Sequence, residues 1–378
     1  MIRYHQSVFL LIFVLTMISC NYQNSPMDDP GTAKVIIGYV PGFRGDLDVN
    51  AIDPQKITHI NYAFVDVKDS MAWLTNRATD TINFRKLNRL KEINSDLKIL
   101  ISIGGWSWSK NFSDAVLTAS SRALFAKTSC EIVQKHDLDG VDIDWEYPGL
   151  KGDDNMFRPE DKQNFTLMFE ALRTELDNLT QRTGKTYLLT SAVAGFKDFL
   201  DHTEMAKAAA PQDFINVMCY DYYTSGPTAG HHSNLYPPED YDQDRSAQKD
   251  LNNFIQAGVP PHKLVLGIPF YGRSWIVQNP EKHGINQPRD SVLRGGGYTF
   301  IKDSLVNKKG FVRYWDQAAQ APYLFNDERR QLIVFDDEES VRIKCAYVKE
   351  HQLAGVMFWQ YMSDPKEYLL DEINRSFN

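Results

Sequence analysis

The chain has 378 residues, 49 of them acidic and 41 basic, for a net charge of -8, and 43% of its residues are apolar. At ~150 residues per domain this length suits two or three domains, or one large α/β barrel carrying an insertion, with enough apolar side chain for a sizeable core. That composition excludes a collagen-like, disordered or small disulfide-stapled chain, and the acidic balance offers nothing to nucleic acid.

In chain order, the first segment places Arg3 and His5 before an apolar run, Val8 to Leu15, that is too short to cross a bilayer. Residues 1–20 therefore read as an export signal. Cys20 directly follows the small residue Ser19, as in a bacterial lipobox, with Met17 where leucine is usual. On that reading Cys20 is lipidated and residues 21–33 form a tether to an outer-membrane or cell-surface position. The alternative is plain secretion to the periplasm or medium. Cys130, Cys219 and Cys345 lack CxxC spacing and sit in apolar surroundings, which favours buried thiols over a disulfide frame or a zinc site.

Eight short β-branched or apolar runs follow: Val35 to Val40, Ile57 to Val65, Ile99 to Gly104, Gly140 to Asp144, Tyr187 to Val193, Phe214 to Tyr220, Leu264 to Pro269 and Ala354 to Gln360. Amphipathic stretches lie between most of them, among them Phe84 to Ile93, Ala115 to Gln134 and Lys162 to Leu179. Strand and helix alternation predicts a parallel sheet with crossover helices, and eight repeats suit a closed (β/α)8 TIM barrel. No GxGxxG follows the first run, as a dinucleotide fold needs. About 84 residues separate the seventh run from the eighth, far more than one loop and helix require. They contain Gly295 to Gly297, Val312 to Trp315 and Gln331 to Phe335, which predict hairpins and a helix in a small α+β subdomain over residues 272–344, standing on the barrel's catalytic face. The barrel itself is assigned residues 34–271 and 345–378.

The fourth run opens DLDGVDIDWEYP, Asp137 to Pro148. Asp142, Asp144 and Glu146 are two residues apart, so in a strand they share one face at ~6 to 7 Å intervals. In a barrel that face is the interior, where three ionised carboxylates are prohibitive unless they share protons and hydrogen bonds. A solvated strand face is the plain alternative, set against by the apolar flanks. A calcium loop is also disfavoured, since the segment lacks the glycine and late glutamate of an EF-hand. Elsewhere, His231 and His232 lack any HExxH spacing and read as a solvated loop pair. Cys219 has no histidine nearby in sequence and reads as a small buried residue. Trp73, Trp108, Trp275 and Trp315 are open between groove and core.

Asp139, Asp142, Asp144 and Glu146, as DxxDxDxE, resemble the signature of glycoside hydrolase family 18, the chitinases and related enzymes. Other strand ends agree. Ser102 to Trp106 resembles that family's SxGG motif, and Met218 to Asp221 its MxYD motif. Pro269 to Arg273 and Phe358 to Gln360 also fit, so the resemblance spans roughly residues 34 to 368. It implies a (β/α)8 barrel that cleaves β-1,4 bonds between N-acetylglucosamine units with retention, using the substrate's 2-acetamido oxygen as nucleophile. Glu146 is the implied general acid and base, Asp144 the partner of the acetamido N–H, Asp142 a proton-sharing neighbour of Asp144, and Tyr220 a donor to the acetamido carbonyl. The implied substrate-binding set is Trp359, Asp221, Trp106, Tyr147, Arg273, Gly105, Met218, Tyr39, Ser102 and Phe64, with Tyr39 and Ser102 at positions that contact the inner aspartate. Chitin or its oligosaccharides are the implied partner, with no cofactor and no metal, and the chain is expected to act as a monomer. Alternatives are cleavage of N-glycan cores, or a lectin-like chitin binder without catalysis.

Overall fold

The computed structural model describes residues 33–239 and 245–378. Residues 1–20, read above as an export signal, with Cys20, and residues 21–32 of the expected tether lie outside the described residues.

Each of the eight runs overlaps a strand of one parallel barrel. In chain order these are β1 (Val35–Pro41), β2 (His59–Lys68), its short antiparallel partner β3 (Met71–Trp73), β4 (Lys98–Gly104), β5 (Gly140–Asp144), β6 (Leu188–Ala194), β7 (Phe214–Met218) and β8 (Leu264–Pro269). After β8 come β9 (Tyr271–Val277), β10 (Arg289–Gly297), β11 (Phe311–Asp316), β12 (Ala321–Asn326) and β13 (Gln331–Val334), then β14 (Gly355–Trp359), which is the eighth barrel strand. The lateral order is β1-β14-β8-β7-β6-β5-β4-β2, and pairing of β1 with β2 closes the ring. Every barrel pairing is parallel, as crossover helices demand.

Alternation along the strands divides two cores. Ile36, Val40, Val141 and Ile143 point outward into the large cluster shared with the helices. Ile37, Tyr39, Ala63, Ala192, Val265 and Met357 point inward and fill the barrel beneath its C-terminal mouth. The helix boundaries shift where capping decides them. The stretch read as Ala115 to Gln134 is a short turn, Phe112–Ala115, and then a helix, Ala119–Lys135, which starts where Thr118 and Ser121 form a capping box. The helix read from Phe84 begins earlier, at Arg77, and ends at Arg89. The helix read from Lys162 to Leu179 runs Asp161–Thr183 and stops at Gly184, which takes the left-handed conformation.

The insertion is a five-stranded antiparallel sheet in the order β10-β9-β13-β12-β11 with the helix Tyr298–Ser304. Its own small core contains Trp275, Val277, Phe325, Leu332 and Val334. The expected limit at residue 344 falls inside a continuous helix, Glu338–Glu350. That helix packs on β8 and β14, so it continues the barrel rather than the insertion. The reason is the register of its apolar face: Val341, Cys345 and Val348 are all fully buried in the barrel's outer core.

The buried polar anchor of this helix is Lys344, whose Nζ lies 2.8 and 2.7 Å from the two oxygens of Asp336. Both side chains are sealed from solvent, and Ser233 and Ser340 donate to the same carboxylate. Breaking a buried pair leaves an uncompensated charge. Replacing Lys344 by Met should cost about 3–5 kcal/mol in a urea titration; a loss under about 1 kcal/mol would mean that the pair is dispensable.

Candidate active site

The register of three neighbouring strands builds the innermost acid. Ser102 on β4, Asp142 on β5 and Thr190 on β6 are direct lateral partners. Their side chains therefore lie in one layer, and Asp142 accepts hydrogen bonds from Ser102 Oγ at 2.7 Å and Thr190 Oγ1 at 2.6 Å. The Tyr39 hydroxyl at 2.9 Å and Asn216 Nδ2 at 3.3 Å complete the set. Burial pushes the Asp142 carboxyl above its usual range, and these donors pull against that shift. The charge of Asp142 in turn acts on its neighbour Asp144.

Asp144 ends β5 and is less well served. Its Oδ1 is buried without a hydrogen-bond partner. Burial first, then the charges of Glu146 and Asp142, push its carboxyl well above the ordinary value. Glu146 lies past the end of the strand, and the in/out alternation persists there. Trp145 turns outward to stack on Phe112 at 5.2 Å, while Glu146 turns back to the barrel mouth with Asp144. The Glu146 N–H donates to Ser109 Oγ at 2.9 Å, and Ser109 Oγ donates to the carbonyl of Asp144 at 3.1 Å, which pins the turn. Burial raises the Glu146 carboxyl from its ordinary value near 4.5 to about 7, helped by the Asp221 charge and opposed by a hydrogen bond with Tyr147.

These acids stand at the edge of a cavity of about 940 Å³ at the barrel mouth. Of the expected site residues, Glu146, Asp144, Tyr220, Trp359, Asp221, Trp106, Tyr147, Arg273, Met218 and Phe64 line it. Tyr39, Ser102 and Gly105, grouped with the substrate-binding set, do not line it, but Tyr39 and Ser102 make the contact with the inner aspartate that was expected of them. Tyr39 and Ser102 are buried below as partners of Asp142. Gly105, at φ 88°, donates its N–H to the Asp144 carbonyl at 2.7 Å, and a Cβ there would fall 2.5 Å from the Phe64 ring. Its role is to let the chain pass between the aspartate and the phenylalanine.

Trp359 stacks on Phe64 at 5.4 Å and 16°, and Phe43 extends the stack at 6.4 Å from Trp359. Tyr220 meets Tyr271 edge-on at 6.3 Å. Burial pushes its phenol well up, so it stays a proton donor. Arg273 on β9 clasps Asp221 with Nε at 2.7 Å from Oδ1 and Nη2 on Oδ2. Burial acts to raise the Asp221 carboxyl, but hydrogen bonds from His232 and Arg273 hold it far below the usual range.

The loop histidines overturn their expected role. Both are 1% exposed. His231 Nε2 lies 3.0 Å from Asp316 of β11, and His232 Nδ1 lies 3.4 Å from Asp221. They are buried because the insertion closes over the loop, which no local pattern reports. Of the undecided tryptophans, Trp108 lines the cavity and Trp275 is buried in the insertion core. Cys130, Cys219 and Cys345 are buried free thiols. Burial raises the Cys345 thiol to about 12 and pushes the Cys219 thiol higher still, so neither is a nucleophile. The sequence reading missed Phe43, Tyr271 and Thr190. Their signal was position: each follows or ends a barrel strand, or faces inward from one.

Comparison with known proteins gives a consistent result. The model of glycosyl hydrolases family 18 matches residues 35–364. The chain is 35% identical to chitinase A1 of Niallia circulans over 91% of its own length and 59% of that protein, so it spans well under two thirds of that relative. It is 34% identical to chitotriosidase-1 of Mus musculus, over 82% of this chain and 67% of that one. A family 18 N-acetylglucosaminidase from Paenibacillus barengoltzii superposes with a TM-score of 0.85 at 38% identity, covering 91% of this chain and 99% of that one. The group IV chitinase of Ostrinia furnacalis, in complex with allosamidin, does so at 0.81 and 29% identity over 90% and 98% of the two chains.

The raised Glu146 carboxyl is a cost to the fold. Its native pKa exceeds the unfolded value, so no penalty exists below about pH 4.5 and the full penalty is reached above about pH 7. Glu146→Gln should therefore raise the melting temperature, with a larger gain at pH 8 than at pH 4.5. Equal gains at both values would contradict the burial of a titrating carboxyl.

Proposed function

The chain belongs to glycosyl hydrolase family 18, and from that premise we propose that it hydrolyses β-1,4-linked N-acetylglucosamine chains with retention, Glu146 serving as acid and then base. The observation that carries the reading is the state of the two outer acids. Glu146 keeps a proton up to about neutral pH, and Asp144 beside it has a buried oxygen without a donor. An acetamido N–H brought to Asp144 Oδ1 supplies that donor and favours the ionised form of Asp144. The new negative charge then makes the Glu146 proton harder to lose until the leaving oxygen takes it.

The nucleophile on this reading is the substrate's own acetamido oxygen. Tyr220 donates to that group and orients it, and an ionised Asp144 stabilises the positive charge that develops on the ring formed with the anomeric carbon. Trp359 offers an aromatic floor for the C–H face of the sugar. Asp221, kept ionised by Arg273, places a negative charge near Glu146 and so helps hold its proton. After the first step Glu146 is the base that takes a proton from water. A second reading, release of single N-acetylglucosamine units, is favoured by the likeness to the Paenibacillus barengoltzii enzyme.

The chain should cleave N-acetylglucosamine oligomers with the β-anomer released first, seen by NMR within the first turnovers; α-anomer would refute retention. Glu146→Gln should lower kcat by at least about 100-fold, the scale of lost acid–base catalysis. In the native enzyme kcat/KM should fall as pH rises through about 7, where Glu146 loses its proton. Oligomers lacking the 2-acetyl groups should bind and resist cleavage, and their rapid turnover would point to a protein nucleophile. Product lengths separate single-unit release from internal cleavage.

The proposed location is the bacterial surface, with Cys20 as the lipid-bearing residue. Labelled palmitate should enter the native chain expressed in a bacterium and be absent from Cys20→Ala; no label in the native chain would leave plain secretion, and equal labelling of both would overturn Cys20 as the acceptor.

A further inference from the structure

A second polar cluster borders the cavity outside the strand-end motifs. Asp250 stands on the helix Ala247–Gln256, 3% exposed, and its Oδ2 has no hydrogen-bond partner. The buried Tyr222 hydroxyl faces the same carboxyl group and interacts with it. Gly195, which lines the cavity, covers the carboxylate: a Cβ there would fall 2.0 Å from Asp250 Oδ2. Arg245 lies just before the helix and lines the cavity as well. Its guanidinium carbon is 4.7 Å from the Tyr222 ring centroid and 5.7 Å from that of Phe196, with Nη2 at 4.0 Å from Asp250 Oδ2.

A carboxylate sealed behind a glycine is costly unless a cation faces it, and two aromatic faces favour a guanidinium over any other cation. The group is planar, with five donors and no acceptor. Both rings lie against it and Asp250 faces one Nη2 from 4.0 Å, outside hydrogen-bond distance, which leaves its donors for acceptors inside the cavity. Phe196 packs edge-on against Tyr147 at 5.2 Å, and Tyr147 meets Trp106 at 6.2 Å. Tyr147 in turn hydrogen-bonds Glu146, the acid that protonates the leaving oxygen in the proposed function on which this inference rests, so Arg245 lies two ring contacts from that acid and faces the leaving group's side of the cavity.

We propose that Arg245 determines specificity for the leaving group by donating hydrogen bonds to hydroxyl and acetamido oxygens of the sugar there, and that Asp250 is the positioning residue that holds it. An aryl leaving group in the same place offers no such acceptors.

The test compares the N-acetylglucosamine tetramer with the phenyl glycoside of diacetylchitobiose. Arg245→Met keeps a long stem over Tyr222 and Phe196 and removes every donor. The ratio of kcat/KM on the tetramer to that on the phenyl glycoside should fall about tenfold, chiefly through KM, the scale of one charge-assisted hydrogen bond. Asp250→Asn should shift the same ratio in the same direction by about threefold, with melting curves confirming that both variants fold. An unchanged ratio in Arg245→Met, or losses shared equally by both substrates, overturns the role of the arginine. A native chain that cleaves neither substrate sinks the proposed function instead.

Discussion

Three acids on one short segment, aimed into the mouth of a closed barrel, are the constraint that organises the rest of the molecule. Carboxylates there lose their water, and each must be given something in exchange. The exchange is graded with depth. Asp142, the innermost, receives four donors from four different strands. Asp144, one layer up, is left with a buried oxygen that nothing in the protein satisfies. Glu146, at the cavity edge, is held back from ionising by burial. The two outer acids, which line the cavity, are thus the ones left unsatisfied or held from ionising, and there such a group is useful rather than merely costly.

The insertion does more than wall the cavity. Three consecutive residues of the loop after β7 bind three separate places. His231 reaches Asp316 on β11, His232 reaches Asp221, and Ser233 reaches Asp336 beside the helix Glu338–Glu350. The same Asp221 is clasped by Arg273 of β9. One loop therefore fixes the insertion, the barrel helix and a charge of the site together. Burial lowers the proton affinity of His232 against the pull of Asp221, so its ring stays a neutral spacer.

Much of this was legible before any fold was known, because the relevant signals are local. The two-residue spacing of Asp142, Asp144 and Glu146 places them on one face of an extended chain whatever surrounds it. The strand-end clusters at Ser102, Met218 and Trp359 mark one end of the barrel in the same way. Other features were misread for want of partners. Gly105 was grouped with the substrate contacts, yet it acts one layer below, through the chain at Asp144, whereas Tyr39 and Ser102 of the same group serve the inner aspartate as the resemblance implied. The histidine pair looked solvated because its partners are separated from it by more than eighty residues in one case.

By itself, then, the sequence determined the count of barrel strands, their direction, the position of a large insertion and the identity of the acid strand. Periodicity and spacing depend only on backbone geometry, which is the same in every protein. Tertiary structure decided which inward-facing groups touch one another. It left Asp144 Oδ1 without a donor, buried His231 and His232, carried the helix through residue 344 onto the barrel, and set Arg245 between Asp250 and the cavity. Those outcomes depend on distances between residues far apart in the chain, and on the water that closure removes from between them.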